Sequence, residues 1–296
     1  MSRRFEFMTV DVFTVQRFGG NPLAVFYDAE GLSDAEMQSL AAEMNLSETT
    51  FVLPPASPEN HRRVRIFNRS AEMPFAGHPN VGTACALAML GLTRDDALRF
   101  EETAGLVGVE LMRDQAGAAT GATINAPKAL DVIEELAPDA IAECIGLSAA
   151  DIRLSTHAPV IASVGVDFAL VEVSPDAVAR ATPRLDAFRS AQSLLRHQSG
   201  RLSIHLYSRS NDQIRARMFA PLAGTWEDPA TGSANAALAA LLVSLGEGSD
   251  QTFQITQGVE MARASQLVAR GWRVGSNVHA SVGGSCVPMF RGHVEL

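Results

Sequence analysis

Two short segments of this sequence repeat a pattern that suits the binding of a small acid. Pro79-Asn80-Val81-Gly82-Thr83-Ala84 and Pro229-Ala230-Thr231-Gly232-Ser233-Ala234 both read Pro-x-x-Gly-[Ser/Thr]-Ala, and they start 150 positions apart. Each runs into a stretch rich in alanine with almost no charge. The first amides of a helix have no intrahelical acceptor and lie at the positive end of its dipole, so a substrate carboxylate can bind there. His78 stands directly before the first segment and Asp228 directly before the second. Glu48 sits at a helix-to-strand junction, where a side chain can face a cleft without needing a place in a packed face. Two such helix starts, at Gly82 and Gly232, facing each other would hold a small acid. Singly, each residue has an ordinary explanation. Glu48 suits a surface cap, His78 a structural loop, Asp228 the turn before a proline, and Ser233 a helix cap. The echo itself can arise by chance. Only their joint occurrence argues for a site.

The elements that must carry these residues follow from local pattern. Strands are expected over Phe5–Phe13, Leu23–Tyr27, Thr49–Leu53 and Val64–Asn68, with a turn at Gly19-Gly20-Asn21-Pro22. Ser33 and Glu36 form a capping box ahead of a helix with Met37, Leu40, Ala41 and Met44 on one face, and Asn45 can end it in a left-handed conformation. Pro74–Asn80 reads as a loop, followed by a helix over Val81–Leu90. Strands follow over Leu98–Glu101, Val107–Met112 and Thr120–Asn125. In the second half helices are expected over Pro138–Ile145, Ser148–Ile152, Pro175–Ala181, 185–196 and Gly232–Leu245. Strands there cover Val160–Val164, Phe168–Val173, Leu202–Tyr207, Ile214–Phe219, Phe253–Thr256, Gln266–Ala269, Val278–Val282 and Cys286–Phe290. Strands outnumber helices and lack βαβ alternation, which predicts an α+β fold. A helix apolar all round is a buried helix. Each half is therefore expected to wrap its sheet around one central alanine-rich helix, with a boundary between Asn125 and Lys128.

Composition narrows the function classes. The 296 residues are 47% hydrophobic and 19% charged, with a net charge of −9, which argues against a nucleic-acid or membrane-surface partner. Arg62, Arg63 and Arg65 form one local basic run, read as a solvated strand face. No Gly-rich dinucleotide fingerprint or phosphate loop occurs. Cys85, Cys144 and Cys286 are odd in number and far apart, which suits neither disulfides nor a metal and fits a reducing cytoplasm. The N-terminal residues do not resemble a signal peptide, and no apolar stretch reaches the about 20 residues needed to span a bilayer. His61, His157, His197, His205, His279 and His293 have no metal-ligand spacing and read as structural or surface residues.

Four segments in series resemble the phenazine-biosynthesis PhzF-like family: Phe18 to Val25, Asn45 to Val52, Met73 to Pro79 and Glu227 to Ala234. Arg65-Ile66-Phe67 and Gln257-Gly258 add to the likeness, which spans nearly the whole chain. The resemblance implies a diaminopimelate epimerase-like fold of two pseudo-symmetric domains, each a barrel-like sheet around a central helix, with a cleft between them. The domains would be 1–126, carrying Glu48 and His78, and 127–296, carrying Asp228 and Ser233, with the last strand returning to the first domain. It further implies a homodimer, a small carboxylate substrate and no cofactor or metal. The motif glutamate matches Glu48 as acid/base, the histidine His78, the aspartate Asp228 and the serine Ser233. The family glycines match Gly77 and Gly232. Relatives that epimerise amino acids use two cysteines, but the corresponding positions carry Ala76 and the Pro229-Ala230 region. Met261-Ala262-Arg263-Ala264-Ser265 departs from the Met-Gly-Arg-Pro-Ser of many members, and Asn68-Arg69-Ser70 from their Thr-Pro turn.

The chemistry so implied is a proton shift on a small acid. One carboxylate takes a proton from one carbon and returns it to another on the same face, and it works best with a pKa raised toward the working pH. His78 would position a polar group of the substrate, Asp228 would accept from an amine or orient His78, and Ser233 with the Gly232 amide would bind a carboxylate. Two other readings stay open on sequence alone. One is a small-acid binding or interaction protein that kept the fold without turnover. The other is a thiol-type racemase, which the missing cysteines disfavour.

Overall fold

The computed structural model describes residues 2–196 and 201–296, so the reading made for His197 lies outside the described residues. The chain divides into two compact units, residues 1–127 together with Gly283–Leu296, and Lys128–Val282.

In the first unit the elements run β1 (Arg4–Val12), β2 (Asn21–Phe26), α1 (Asp34–Met44), β3 (Glu48–Leu53), β4 (Arg62–Phe67), β5 (Glu72–Met73), α2 (Gly77–Met89), β6 (Ala97–Glu102), β7 (Gly105–Arg113) and β8 (Ala119–Asn125). The predicted capping box forms: Ser33 Oγ accepts from the Glu36 amide, and the Glu36 carboxylate accepts from the Ser33 amide. Asn45 closes α1 in the left-handed region at φ 51°. The α1 face of Met37, Leu40 and Ala41 packs on Phe26, Phe51 and Phe67; Phe26 stacks on Phe51, which meets Phe67 edge to face.

The strands of this unit close on themselves. β1 pairs with β2, β2 with β3 in parallel, β3 with β4, β4 with β6 in parallel, β6 with β7 and β7 with β8. The ring is completed by the last strand of the chain, which pairs with both β8 and β1. Inside lies α2, buried without interruption from Gly77 to Leu87. Gly82 shows why this helix is made of small residues. A Cβ there would come within 2.6 Å of Leu23 and 2.7 Å of Val12.

α2 begins four residues earlier than the sequence pattern suggested. Pro79 was read as loop, but it occupies the first turn, where its missing N–H costs nothing. Gly82 is therefore inside the helix, and the open amides belong to the turn at Gly77.

The second unit contains β9 (Asp131–Glu135), α3 (Pro138–Cys144), β10 (Val160–Ser163), β11 (Asp167–Glu172), α4 (Pro175–Arg180), α5 (Leu185–Leu194), β12 (Ile204–Ser210), β13 (Gln213–Ala220), β14 (Thr225–Asp228), α6 (Gly232–Leu245), β15 (Asp250–Gln257) and β16 (Ser265–Val274). β17 (Asn277–Glu295) starts in this unit and ends in the first. Ala149–Asp151, expected as part of a helix, is a single 3-10 turn. β9 was not expected, and β17 is one strand rather than two. Gly283, in the stretch between those two expected strands, is a point of close approach. A Cβ on Gly283 would fall 2.7 Å from the Ala122 carbonyl oxygen.

The two units share one plan. The pairings β10–β11, β11–β12, β12–β13, β13–β15 and β15–β16 repeat β1–β2, β2–β3, β3–β4, β4–β6 and β6–β7 in order and in direction. α6 is buried from Gly232 to Val243, as α2 is in its own barrel, so the central helix wrapped by sheet is present in both halves. Here the wall supplies the missing side chain, since a Cβ on Gly271 of β16 would sit 2.7 Å from the Ala239 carbonyl. Three helices, α3, α4 and α5, cover the outside of the sheet with Ile141, Val178 and Phe188. Matching the helix starts Gly77 and Gly232 puts the internal register at 155 positions, not the 150 of the sequence echo. At that offset Met73 matches Asp228, Pro74 matches Pro229, His78 matches Ser233 and Asn80 matches Asn235.

Candidate active site

The first unit brings Glu48 and His78 together. Glu48 opens β3, which runs parallel to β2 with Glu48 opposite Leu23, so both strands start at the same end of the barrel. The first turn of α2 reaches that end. His78 Nε2 lies 3.4 Å from Glu48 Oε2, with the side chains 4% and 16% exposed. On the other side of the ring, Asn21 Nδ2 lies 3.3 Å from His78 Nδ1. With the Asn21 amide donating, Nδ1 is an acceptor and the ring proton sits on Nε2, toward Glu48. Burial pushes His78 down to about 3, so the imidazole is neutral at neutral pH. A neutral ring stands beside the Glu48 carboxylate at 3.4 Å without a hydrogen bond of regular geometry, so the two do not form a locked ion pair. Asn21 stands in the Gly-Gly-Asn-Pro turn segment, but nothing in the sequence marked it as the partner of His78. The pattern showed a turn there, whereas Asn21 is the first residue of β2 and fully buried.

The start of α2 carries no side-chain cap. Its N-cap residue is Ala76, which has no oxygen to offer the Gly77 turn. With no side-chain cap, those first amides suit an anion.

In the second unit, Asp228, Gly232 and Ser233 gather at the start of α6, all buried. Asp228 ends β14 and accepts from the Thr231 hydroxyl at 2.5 Å. Gln257, at the end of β15, braces the turn. Its Nε2 donates to the Asp228 carbonyl at 2.8 Å and to Thr231 Oγ1 at 3.1 Å, while its Oε1 accepts from the Thr231 amide and from Asn235 Nδ2. Asn235 Oδ1 is engaged by His205 Nε2 at 3.0 Å. The helix is again without a side-chain cap, because the Thr231 hydroxyl is turned to Asp228 and Ser233 lies one turn position inside. Ser233 is therefore not the helix cap that its sequence position allowed. One residue before Asp228, Glu227 forms a bidentate pair with Arg217 at 2.8 and 2.9 Å. Arg217 also donates to the Val178 and Ala181 carbonyls, so this buried pair ties β14 to α4.

The cysteines take no part. All three are buried and free. Contact with Cys286 and burial hold the Cys85 thiol well above its ordinary range, and burial pushes Cys144 up to about 12. A thiol acting as a base needs its thiolate, which these environments oppose. The residue matching Ala76 in the internal register is Thr231. Neither position of a two-thiol pair is cysteine. No group of three or more His, Cys, Asp or Glu side chains among the described residues could hold a metal ion, and no helix among them is long and apolar enough to cross a membrane.

The profile of the phenazine biosynthesis-like protein family matches residues 10–292. The chain belongs to that family. An uncharacterized isomerase of Mesorhizobium japonicum is 37% identical to it, over 98% of this chain and 99% of the relative. A trans-2,3-dihydro-3-hydroxyanthranilate isomerase of Pseudomonas chlororaphis is 35% identical over the same shares. Among solved structures, a PhzF-family protein of Bacillus anthracis superposes with a TM-score of 0.87 at 25% identity, covering 99% of each chain. A hydroxyproline epimerase of Agrobacterium vitis shares the fold, with a TM-score of 0.70 at 15% identity over 99% of this chain and 93% of the other. The protein is thus an isomerase of the PhzF-like family on a diaminopimelate epimerase-like α+β fold. The family's Met-Gly-Arg-Pro-Ser turn also acquires a structural meaning. Ala262, where many members have glycine, adopts φ 56° in the left-handed region.

Proposed function

We propose that this chain moves a proton on a small carboxylic acid of the dihydro-hydroxyanthranilate or amino-acid kind, without a cofactor and with Glu48 as the acid/base. The observation that carries the reading is the buried Glu48–His78 pair at 3.4 Å beside an uncapped helix start. Its likeness to trans-2,3-dihydro-3-hydroxyanthranilate isomerases along the whole chain supports the substrate class. Glu48 as carboxylate takes a proton from one carbon, and the electron pair moves through the adjacent double bond. The protonated Glu48 then returns the proton to the far end of that system, so the product is an isomer and Glu48 is regenerated. His78, neutral and with Nε2 3.4 Å from Glu48 Oε2, helps to position the carboxylate. The open amides at Gly77 bind an anionic group of the substrate. Within the second unit, Gly232 and Ser233 form a donor set of the kind that suits a carboxylate, and Asp228 is an acceptor suited to an amine or hydroxyl. Each well-placed donor of this kind is worth about 3 kcal/mol at a transition state. The working form is a homodimer, which light scattering on the purified chain will test.

The decisive experiment follows hydrogen exchange into a dihydro-hydroxyanthranilate substrate in deuterated water with purified wild type and Glu48→Gln. Exchange is expected in the wild type and lost in the variant. Undiminished exchange in Glu48→Gln would remove Glu48 from the mechanism.

A further inference from the structure

Glu102 ends β6, and both of its carboxyl oxygens are buried without a hydrogen bond of regular geometry among the described residues. The Asn80 side chain is close enough to act on it. Asn80 has already committed Nδ2 to the Ala76 carbonyl at 3.0 Å, and its Oδ1 is likewise buried and unsatisfied. A bare carboxylate in this position would have at most the Asn80 amide N–H and no counter-charge, which is costly.

The second unit carries the same socket in satisfied form. Asn235 matches Asn80 and makes the same bond back to the N-cap, Nδ2 to the Thr231 carbonyl at 3.0 Å. The residue matching Glu102, 155 positions on, is Gln257. Gln257 uses its head group in two ways: the oxygen accepts from Asn235 Nδ2 at 2.8 Å, and the nitrogen donates to the Asp228 carbonyl, whose counterpart is that of Met73. The socket is built for a neutral planar group with one acceptor and one donor. A carboxylate has no donor, while a carboxylic acid has one of each and nearly the shape of the amide.

We propose that Glu102 is held as the neutral carboxylic acid and acts as a positioning residue for the turn from Met73 to His78, the part that Gln257 plays for the turn from Asp228 to Ser233. The link to turnover rests on the acid/base reading above; the protonation state does not. Burial raises Glu102 to about 8, against the opposing pull of the Asn80 amide. The surrounding charges leave that balance alone. On α2 the titratable groups are His78, neutral through burial, and the buried Cys85. On β4, Arg63 stands opposite Glu101 and acts on it, while Arg65 is engaged by Asp34 and by Glu72 of β5. On β7, Glu110 and Arg113 lie at the far end of the hairpin from Glu102.

A carboxyl whose folded pKa lies above its unfolded value stabilises the fold fully at low pH, and that contribution is lost as pH rises toward the folded pKa. Here the window runs from the ordinary 4.5 to about 8. Glu102→Gln keeps the shape and the donor and has no proton to lose. Thermal midpoints of wild type, Glu102→Gln and Glu102→Ala are to be measured from about pH 5 to about pH 9, alongside isomerisation rates. The midpoint of Glu102→Gln relative to wild type is expected to climb through this window and then level off. Its rate at about pH 6 should stay within about twofold of wild type, and any wild-type decline near pH 8 should vanish. Glu102→Ala should lose about tenfold or more in rate and melt lower at every pH. Parallel melting curves for wild type and Glu102→Gln, or failure of Glu102→Gln to fold, would overturn the neutral acid. A pH-dependent melting gap with equal rates in all three proteins would overturn the positioning role. If no substrate turns over, the melting curves still decide the protonation state, and the acid/base reading fails separately.

Discussion

The starts of α2 and α6 are the same backbone device filled with different chemistry. Both follow a proline, both open on glycine, both leave their first amides uncapped, and both return an asparagine side chain to the N-cap carbonyl at 3.0 Å. At α2 the second helical residue is His78, aimed at Glu48. At α6 it is Ser233, and the acidic group is Asp228, fastened by the Thr231 hydroxyl. The first start places a carboxylate beside a neutral ring, which suits the acid/base role proposed for Glu48. The second is fixed by Gln257 and by the Arg217–Glu227 pair, which suits the binding role proposed for it. One strand-and-helix plan recurs in both units, and different side chains stand at its equivalent positions.

The comparison breaks first at Glu48. Glu48→Gln should lower the turnover number by about 10²–10⁴-fold, the range for a general acid or base, whereas Ser233→Ala should act mainly on KM. Equal loss of turnover from both would dissolve the distinction between the two starts. Next in size is Arg217→Ala, which strands Glu227 in a buried site. It should cost about 3–5 kcal/mol in denaturant unfolding, and a loss under about 1 kcal/mol would show that the pair does not brace β14. Gln257→Ala leaves the Thr231 amide and Asn235 Nδ2 without one acceptor and the Asp228 carbonyl without its donor. A loss of about 1–3 kcal/mol is expected by the same assay; no change would mean that the network is dispensable. The smallest effect belongs to the β15–β16 loop, which has no counterpart in the tight β6–β7 hairpin. Ala262→Gly relieves a left-handed alanine and should raise stability by about 0.5–1 kcal/mol, read as a higher melting temperature.

Much of the fold was legible where one stretch of chain carried the whole signal. The Ser33–Glu36 capping box, the left-handed Asn45 and the buried alanine-rich helices are local patterns, and each appears in the structure. The echo between the halves was also real, but its register was off by five positions. Pro79 looks like a helix breaker, and only its place in the first turn of α2 makes it harmless. Gly82 fits a helix-start motif, yet it lies inside α2, where the neighbouring Leu23 and Val12 require a glycine. The continuity of β17 through Gly283 likewise depends on β8 packing against it.

The family motifs named Glu48, His78, Asp228 and Ser233 without saying which atoms meet. Sequence by itself determined the α+β class, the two central helices and the residue types available for chemistry, because periodicity, capping and small-residue content are properties of neighbours along the chain. The tertiary structure alone decided that Asn21 stands 57 residues away against His78, that His78 turns its other nitrogen to Glu48, and that Glu102 occupies the place of Gln257. Those contacts form between residues far apart in sequence, and burial within each barrel sets their protonation. No local pattern encodes either.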